Sequence, residues 1–225
     1  MRTQYITELE SVRKNLVQMG ETAISLLAGA TNAVADPDFG FSARASELEA
    51  QTDHQHRLIH DQCLNLITLQ APVARDARLV TGILDAIVDL ELIGDYAYEI
   101  VVLSSSMNRR PPSLVSNQMS ELCARVKASL TMAIESWRNG NRDQALSVRQ
   151  QEPAIRAECE TLYERLSQLA SAPVESKIYV DLMLICKHLE RIQRHAVCVA
   201  DEAAEAAPRG QAGERSETAG LASTS

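Results

Sequence analysis

Glu91 and Asp95 stand four residues apart in Leu90-Glu91-Leu92-Ile93-Gly94-Asp95, a spacing that places both carboxylates on one face of a helix. The flanking apolar residues Ile83, Ile87, Leu90, Ala97 and Val101 keep helical spacing and supply that helix. Two carboxylates at this spacing repel by only roughly a few tenths of a kcal/mol when exposed, so a solvated charged face is one reading. A cation site is the other, because hard metal ions take oxygen ligands and a helix can present several carboxylates together. The rest of the chain has to position a counterpart for these groups.

Only helices are on offer for that task. The chain has 225 residues, 45% of them hydrophobic and 4% aromatic, so its core must be Leu, Ile, Val, Ala and Met. Long Ala- and Leu-rich stretches favour helix, and Val, Ile and Thr form no alternating runs with turn signals between them. The net charge of −8 and the lack of a basic stripe argue against nucleic acid as partner. No apolar run approaches the ~20 residues of a membrane span, and the N-terminal residues lack the apolar centre of a signal peptide. We read the chain as cytoplasmic. Its five cysteines, Cys63, Cys123, Cys159, Cys186 and Cys198, have no CxxC spacing and read as reduced, mostly buried thiols.

Six helices are expected. The first runs from about Thr3 to Val34 and stops near Asp36-Pro37. The second, from about Phe41 to Leu69, is polar in its first half, with Glu47, Glu49, Asp53, His54, His56 and His60. Pro72 breaks the chain, and the third runs from about Ala74 to Met107, before Asn108-Arg109-Arg110-Pro111-Pro112. The fourth, about Leu114 to Trp137, ends at Asn139-Gly140-Asn141. The fifth spans about Arg142 to Ala170, with a kink or local break expected at Pro153. The sixth runs from about Val174 to Ala206, and 207–225, rich in Gly, Ser, Ala and Glu, reads as a disordered tail.

The pattern repeats. Leu90-Glu91-Leu92-Ile93-Gly94-Asp95-Tyr96-Ala97 aligns with Leu189-Glu190-Arg191-Ile192-Gln193-Arg194-His195-Ala196, and each copy follows a proline stop, Pro72 or Pro173. The predicted architecture is all-α: two pseudo-symmetric antiparallel three-helix bundles, a first repeat over 1–108 and a second over 112–206.

With LELIGDYA and its echo LERIQRHA, the chain resembles the PhoU family. Glu8-Leu9 through Met19-Gly20 is similar to that family's opening helix, and Gln70-Ala71-Pro72-Val73-Ala74-Arg75-Asp76-Ala77-Arg78-Leu79-Val80 to its proline-led entry into helix three. The resemblance implies paired three-helix bundles in a cytosolic accessory protein, commonly a homodimer. Its partners would be the phosphate ABC transporter ATPase and the phosphate-sensing histidine kinase, with repression of the starvation response when phosphate is plentiful. It also implies multinuclear iron or zinc clusters on acidic E/D-x-x-x-D motifs.

Carried over residue by residue, the motif on helix three is Glu91 and Asp95, with Asp89 and Glu99 nearby, and its counterpart on helix two is Glu49, Asp53 and His56. Those three share one face, and imidazole at His56 tilts the site toward a transition metal, iron or zinc. In the second repeat Arg194 replaces the motif aspartate and Arg156 the acid on helix five, while Glu152, Glu158 and Glu190 remain. A guanidinium is a fixed cation near neutral pH. The expectation is therefore a metal in the first repeat only, with Arg156 and Arg194 in ion pairs with Glu190 and Glu152 in place of a second one.

No nucleophile stands out: there is no HExxH and no Gly-rich phosphate loop. The expected function is that of a non-catalytic adaptor. A metal-binding helical protein of the di-iron storage or enzyme type is the alternative, since Asp53-x-x-His56 echoes the Glu-x-x-His spacing of such bundles. Those bundles carry the spacing on two helices, and neither His188 nor His195 has an acid three residues before it.

Overall fold

The computed structural model describes residues 2–70, 74–107, 110–170 and 176–207. Six helices carry almost all of them: α1 (Arg2–Ala35), α2 (Ser42–Gln70), α3 (Ala74–Ser105), α4 (Ser113–Asn139), α5 (Arg142–Ala170) and α6 (Ser176–Ala206). No strand occurs among the described residues. The expected stops at Pro72, Asn108-Arg109 and Pro173, and the tail beyond Ala207, lie outside the described residues.

The described helix ends have local causes. Asp36 accepts a hydrogen bond from the Asp38 backbone N–H at 3.2 Å and opens a single 3-10 turn, Pro37–Phe39, between α1 and α2. Gly40 closes that turn at φ 70°, a left-handed conformation that glycine adopts without penalty. The end of α4 uses the same device: Gly140 at φ 61° returns its N–H to the Ser136 carbonyl. Asn141 then starts α5 by accepting from the Gln144 backbone N–H at 3.1 Å. Of the kink or local break expected at Pro153, the break does not occur: α5 is one continuous helix from Arg142 to Ala170. A proline inside a helix forfeits one backbone hydrogen bond, and a long helix anchored by Val148, Ile155, Cys159, Leu162 and Leu166 in the core tolerates that loss.

Packing follows the apolar stripes. Helices α1, α2 and α3 pack on one another, and α5 and α4 each pack on α6 and on one another. The two repeats join through α1 against α4 and α3 against α6. These four helices therefore form the centre, with α2 and α5 flanking it on either side. Leu16, Met19, Leu26, Leu27, Ile83, Ile87, Leu90 and Ile93 are wholly buried in the first repeat. Each such side chain contributes about 1.5–3 kcal/mol on removal from water. At the junction of repeats Gly20 of α1 lies against Ile134 of α4 so closely that an added Cβ would sit 2.2 Å from its Cδ1. The Met19-Gly20 pair thus serves the contact between repeats, Met19 by filling the core and Gly20 by admitting α4.

Candidate metal centre

The α2–α3 groove begins with a steric fit. Thr52 is buried, and its hydroxyl donates to the Leu48 carbonyl at 2.9 Å. Its methyl group then meets α3 at Gly94, where a Cβ would stand 3.2 Å from Thr52 Cγ2. Glycine in the Leu90-to-Asp95 motif lets the two helices approach, and the acidic residues beside the contact converge. One carboxylate oxygen each from Glu49, Asp53 and Asp95 can be chosen so that all three lie within 4.8 Å of one another.

Electrostatics at this trio are unfavourable without a cation or a proton. Burial pushes the Asp95 carboxyl above its usual range, and Asp53, Glu91, Glu49 and Glu99 push it further. Glu49 is raised by burial and then by Asp53. Two like charges ~4 Å apart near a protein surface interact by roughly 4 kcal/mol before ionic screening, about ten times the repulsion of an isolated helical pair. A bound cation would turn that repulsion into attraction. The donor set fits one: three carboxylates from two helices, partly shielded from water, suit an oxygen-seeking ion.

The other two sequence-chosen residues pair with each other. His56 Nδ1 lies 3.0 Å from Glu91 Oε2, one turn along the groove from the trio. The five residues thus fall into a three-carboxylate cluster and an adjoining imidazole–carboxylate pair. His60 turns away to Asp61, 3.6 Å distant.

In the second repeat the equivalents of these residues carry mixed charge. Arg156 Nε lies 3.3 Å from Glu152 Oε1 within α5. Glu190 is taken by Lys187, with Nζ 2.7 Å from Oε2, within α6. Arg194 enters no ion pair among the described residues. The expected pairing of both arginines with Glu190 and Glu152 is therefore corrected: only Arg156–Glu152 forms, because partners three or four residues apart on one helix meet more readily than partners across a groove.

A polar layer that sequence reasoning missed lies between these sites, on the α3–α6 seam. His195 Nδ1 is 2.7 Å from Asp89 Oδ1, and His188 Nε2 is 3.1 Å from Glu99 Oε2. Tyr96 stacks between the two imidazoles, with ring centroids 5.5 Å from His188 and 5.8 Å from His195, and Arg191 sits over its ring at 5.3 Å. The only sequence signal for it was the placement of His188 and His195 seven residues apart, on one helical face. Both histidines are thereby engaged by carboxylates of α3, leaving Asp53-x-x-His56 as the single copy of its kind.

A PhoU domain model matches residues 16–103 and, a second time, 119–203. The chain belongs to the PhoU family. Among relatives, a protein of Pseudomonas aeruginosa named phosphate-specific transport system accessory protein PhoU homolog is 27% identical over 202 residues, covering 88% of this chain and 83% of that protein. A Synechocystis relative of the same name is 24% identical over 199 residues, covering 88% and 89%. The crystal structure of PhoU from Pseudomonas aeruginosa superposes with a TM-score of 0.84 at 26% identity, over 88% of this chain and 96% of that one. A PhoU described as a phosphate transport system regulatory protein, from Streptococcus pneumoniae, shares the fold with a TM-score of 0.82 at 18% identity, over 90% and 96%. The tandem of three-helix PhoU bundles read from LELIGDYA and its echo is the architecture found.

Proposed function

We propose that this PhoU-family chain is a non-catalytic regulator of phosphate uptake and phosphate-starvation signalling. It acts as an adaptor on the ATPase of a phosphate ABC transporter and on a phosphate-sensing histidine kinase, as a cytoplasmic homodimer that represses the starvation response. The observation that carries this reading is the double PhoU match along the chain, together with relatives named as phosphate transport accessory proteins. No described helix is long and apolar enough to cross a membrane, so attachment to a transporter would be by surface contact. Such an adaptor shifts its partner only as far as its affinity differs between the partner's states.

Glu49, Asp53 and Asp95 would hold a metal ion, iron or zinc, in the first repeat alone, with Glu91 and His56 as ligands on the adjoining turn. Bound there, the ion supplies the positive charge that lets four carboxylates line one groove. Co-purification of the full chain with transporter ATPase and kinase, from cells grown in high and in low phosphate, tests the adaptor role. Binding to at least one partner that changes with phosphate is expected, and failure to bind either would overturn it. Elemental analysis of protein purified without chelator tests the metal, and two equivalent clusters per chain would contradict the asymmetry.

A further inference from the structure

Helices α5 and α6 run antiparallel, and three positions on each, spaced by sevens, face across their groove. At one end Arg149 forks onto Asp201 through an ion pair and an Nε–Oδ1 hydrogen bond of 2.9 Å. At the other Lys187 Nζ stands 5.0 Å from the centroid of the Tyr163 ring. A step of seven forward along α5 from Arg149 gives Arg156, and another gives Tyr163. The matching steps back along α6 from Asp201 give Arg194 and then Lys187. Seven residues are two helical turns, so positions spaced by seven keep one face. The middle rung therefore sets Arg156 against Arg194. An ion pair and a cation–ring contact flank a pair of like charges.

The carboxylates nearest this rung are already used. Glu152 engages Arg156 through Nε, leaving the Nη edge of that guanidinium for the groove. Glu190 is held by Lys187, Asp201 by Arg149 and Asp89 by His195. Both arginines are exposed, so a ligand reaches them from solvent. Beside them Gln193 is 2% exposed, with neither amide atom hydrogen-bonded. Its equivalent on α3 is Gly94, whose Cβ direction leads to Thr52 on α2. Gln193 lies seven residues beyond Cys186, whose thiol donates to the Cys159 carbonyl of α5, so this face of α6 is turned toward α5. A buried amide N–H without an acceptor, beside two guanidinium groups, is a site short of negative oxygen.

We propose that Arg156 and Arg194, with the Gln193 amide beneath them, form a binding site for a tetrahedral dianion, inorganic phosphate being the ligand. Guanidinium forks match phosphate oxygens two at a time. One dianion between the arginines replaces their repulsion by two charge-assisted contacts. The rung stands where the first repeat has Asp53 and Asp95, so the two repeats would take ligands of opposite sign at equivalent places. The site lies on α5 and α6 and does not depend on the adaptor role.

Titration of inorganic phosphate into the full chain, at constant ionic strength and neutral pH, tests it by calorimetry and by NMR of the arginine Nε–Hε signals. Saturable binding that moves the Arg156 and Arg194 signals is expected. Arg156→Gln and Arg194→Gln should each weaken binding by ~10-fold or more, since each removes one charged fork. Retained helical circular dichroism shows that the variants fold, and the wild-type NMR titration reads the site without any variant. Sulfate competing with phosphate supports a site for tetrahedral dianions. Chloride acting equally well, no movement of the two Nε–Hε signals, or unchanged affinity in both variants would overturn the proposal.

Discussion

His195 of α6 and Asp89 of α3 meet at 2.7 Å across the seam that joins the two repeats, with both side chains largely shielded from water. A contact of this kind couples the stability of one bundle to that of the other. In a double-mutant cycle with His195→Ala and Asp89→Asn, we expect a coupling energy of about 0.5–3 kcal/mol in urea unfolding, the range for directly contacting polar pairs. Additive effects would mean that the pair carries no coupling between the repeats.

Glu202 makes the same seam sensitive to pH. Burial, reinforced by Asp85, Glu205, Asp201 and Asp89, pushes its carboxyl up to about 7 from an ordinary value of 4.5. Between those values the folded chain binds more protons at this site than the unfolded chain does. Its contribution to stability therefore falls as pH rises through that window and levels off above it. Glu202→Gln should flatten this decline, so that the variant gains on the parent between pH 5 and pH 7.5 in melting temperature. Parallel curves for the two proteins would sink the claim.

Gly94 and Thr52 set the width of the α2–α3 groove. Gly94→Ala gains up to ~1 kcal/mol in helix propensity but overpacks the contact at a cost of about 1–3 kcal/mol. We expect net destabilisation and weaker metal binding. Adding Thr52→Ser removes Cγ2, and the nearest remaining Thr52 atoms to the new Cβ, Cβ and Oγ1, are both at 3.6 Å, an ordinary contact. The double variant should recover both stability and metal content, measured by denaturation and elemental analysis. Failure to recover would place the cause elsewhere.

Asp95→Asn should have opposite effects with and without metal. It relieves the repulsion among Glu49, Asp53 and Asp95, so chelator-treated variant should melt above chelator-treated parent. It also removes a ligand, so the rise on adding iron or zinc, about 2.7 kcal/mol at a hundredfold excess over the dissociation constant, should vanish. Thermal unfolding with and without chelator reads both effects, and a variant that still gains the full metal-dependent rise would exclude Asp95 as a ligand.

Local signals carried most of the fold into the sequence. Asp36, Gly140 and Asn141 end or start helices through contacts within a few residues, which is why those boundaries were readable. At Pro153 the helix continues because the local penalty is outweighed by the core side chains on either side of it. The four carboxylates were legible as two i, i+4 pairs, Glu49 with Asp53 and Glu91 with Asp95, but the separation of Glu91 with His56 from the other three was not, since it depends on how α2 and α3 are offset. Likewise nothing in the spacing of His188 and His195 says which carboxylates they meet. Those partners are about a hundred residues away in the chain and are chosen by the packing of α3 on α6.

The flanking position of α2 and α5 gives the molecule a direction. With α3 and α6 between them, the carboxylate groove of the first repeat and the mixed-charge groove of the second, where Arg156 pairs with Glu152, lie on opposite flanks. By sequence α2 and α3 carry a larger excess of acidic residues than α5 and α6, and this uneven negative charge amounts to an electric dipole across the pair of bundles. A charged surface approaching from several ångströms away exerts a torque on such a dipole, and the protein arrives already turned. Salt would shorten the reach of that torque, so the rate of docking should depend on ionic strength more than the lifetime of the docked state does.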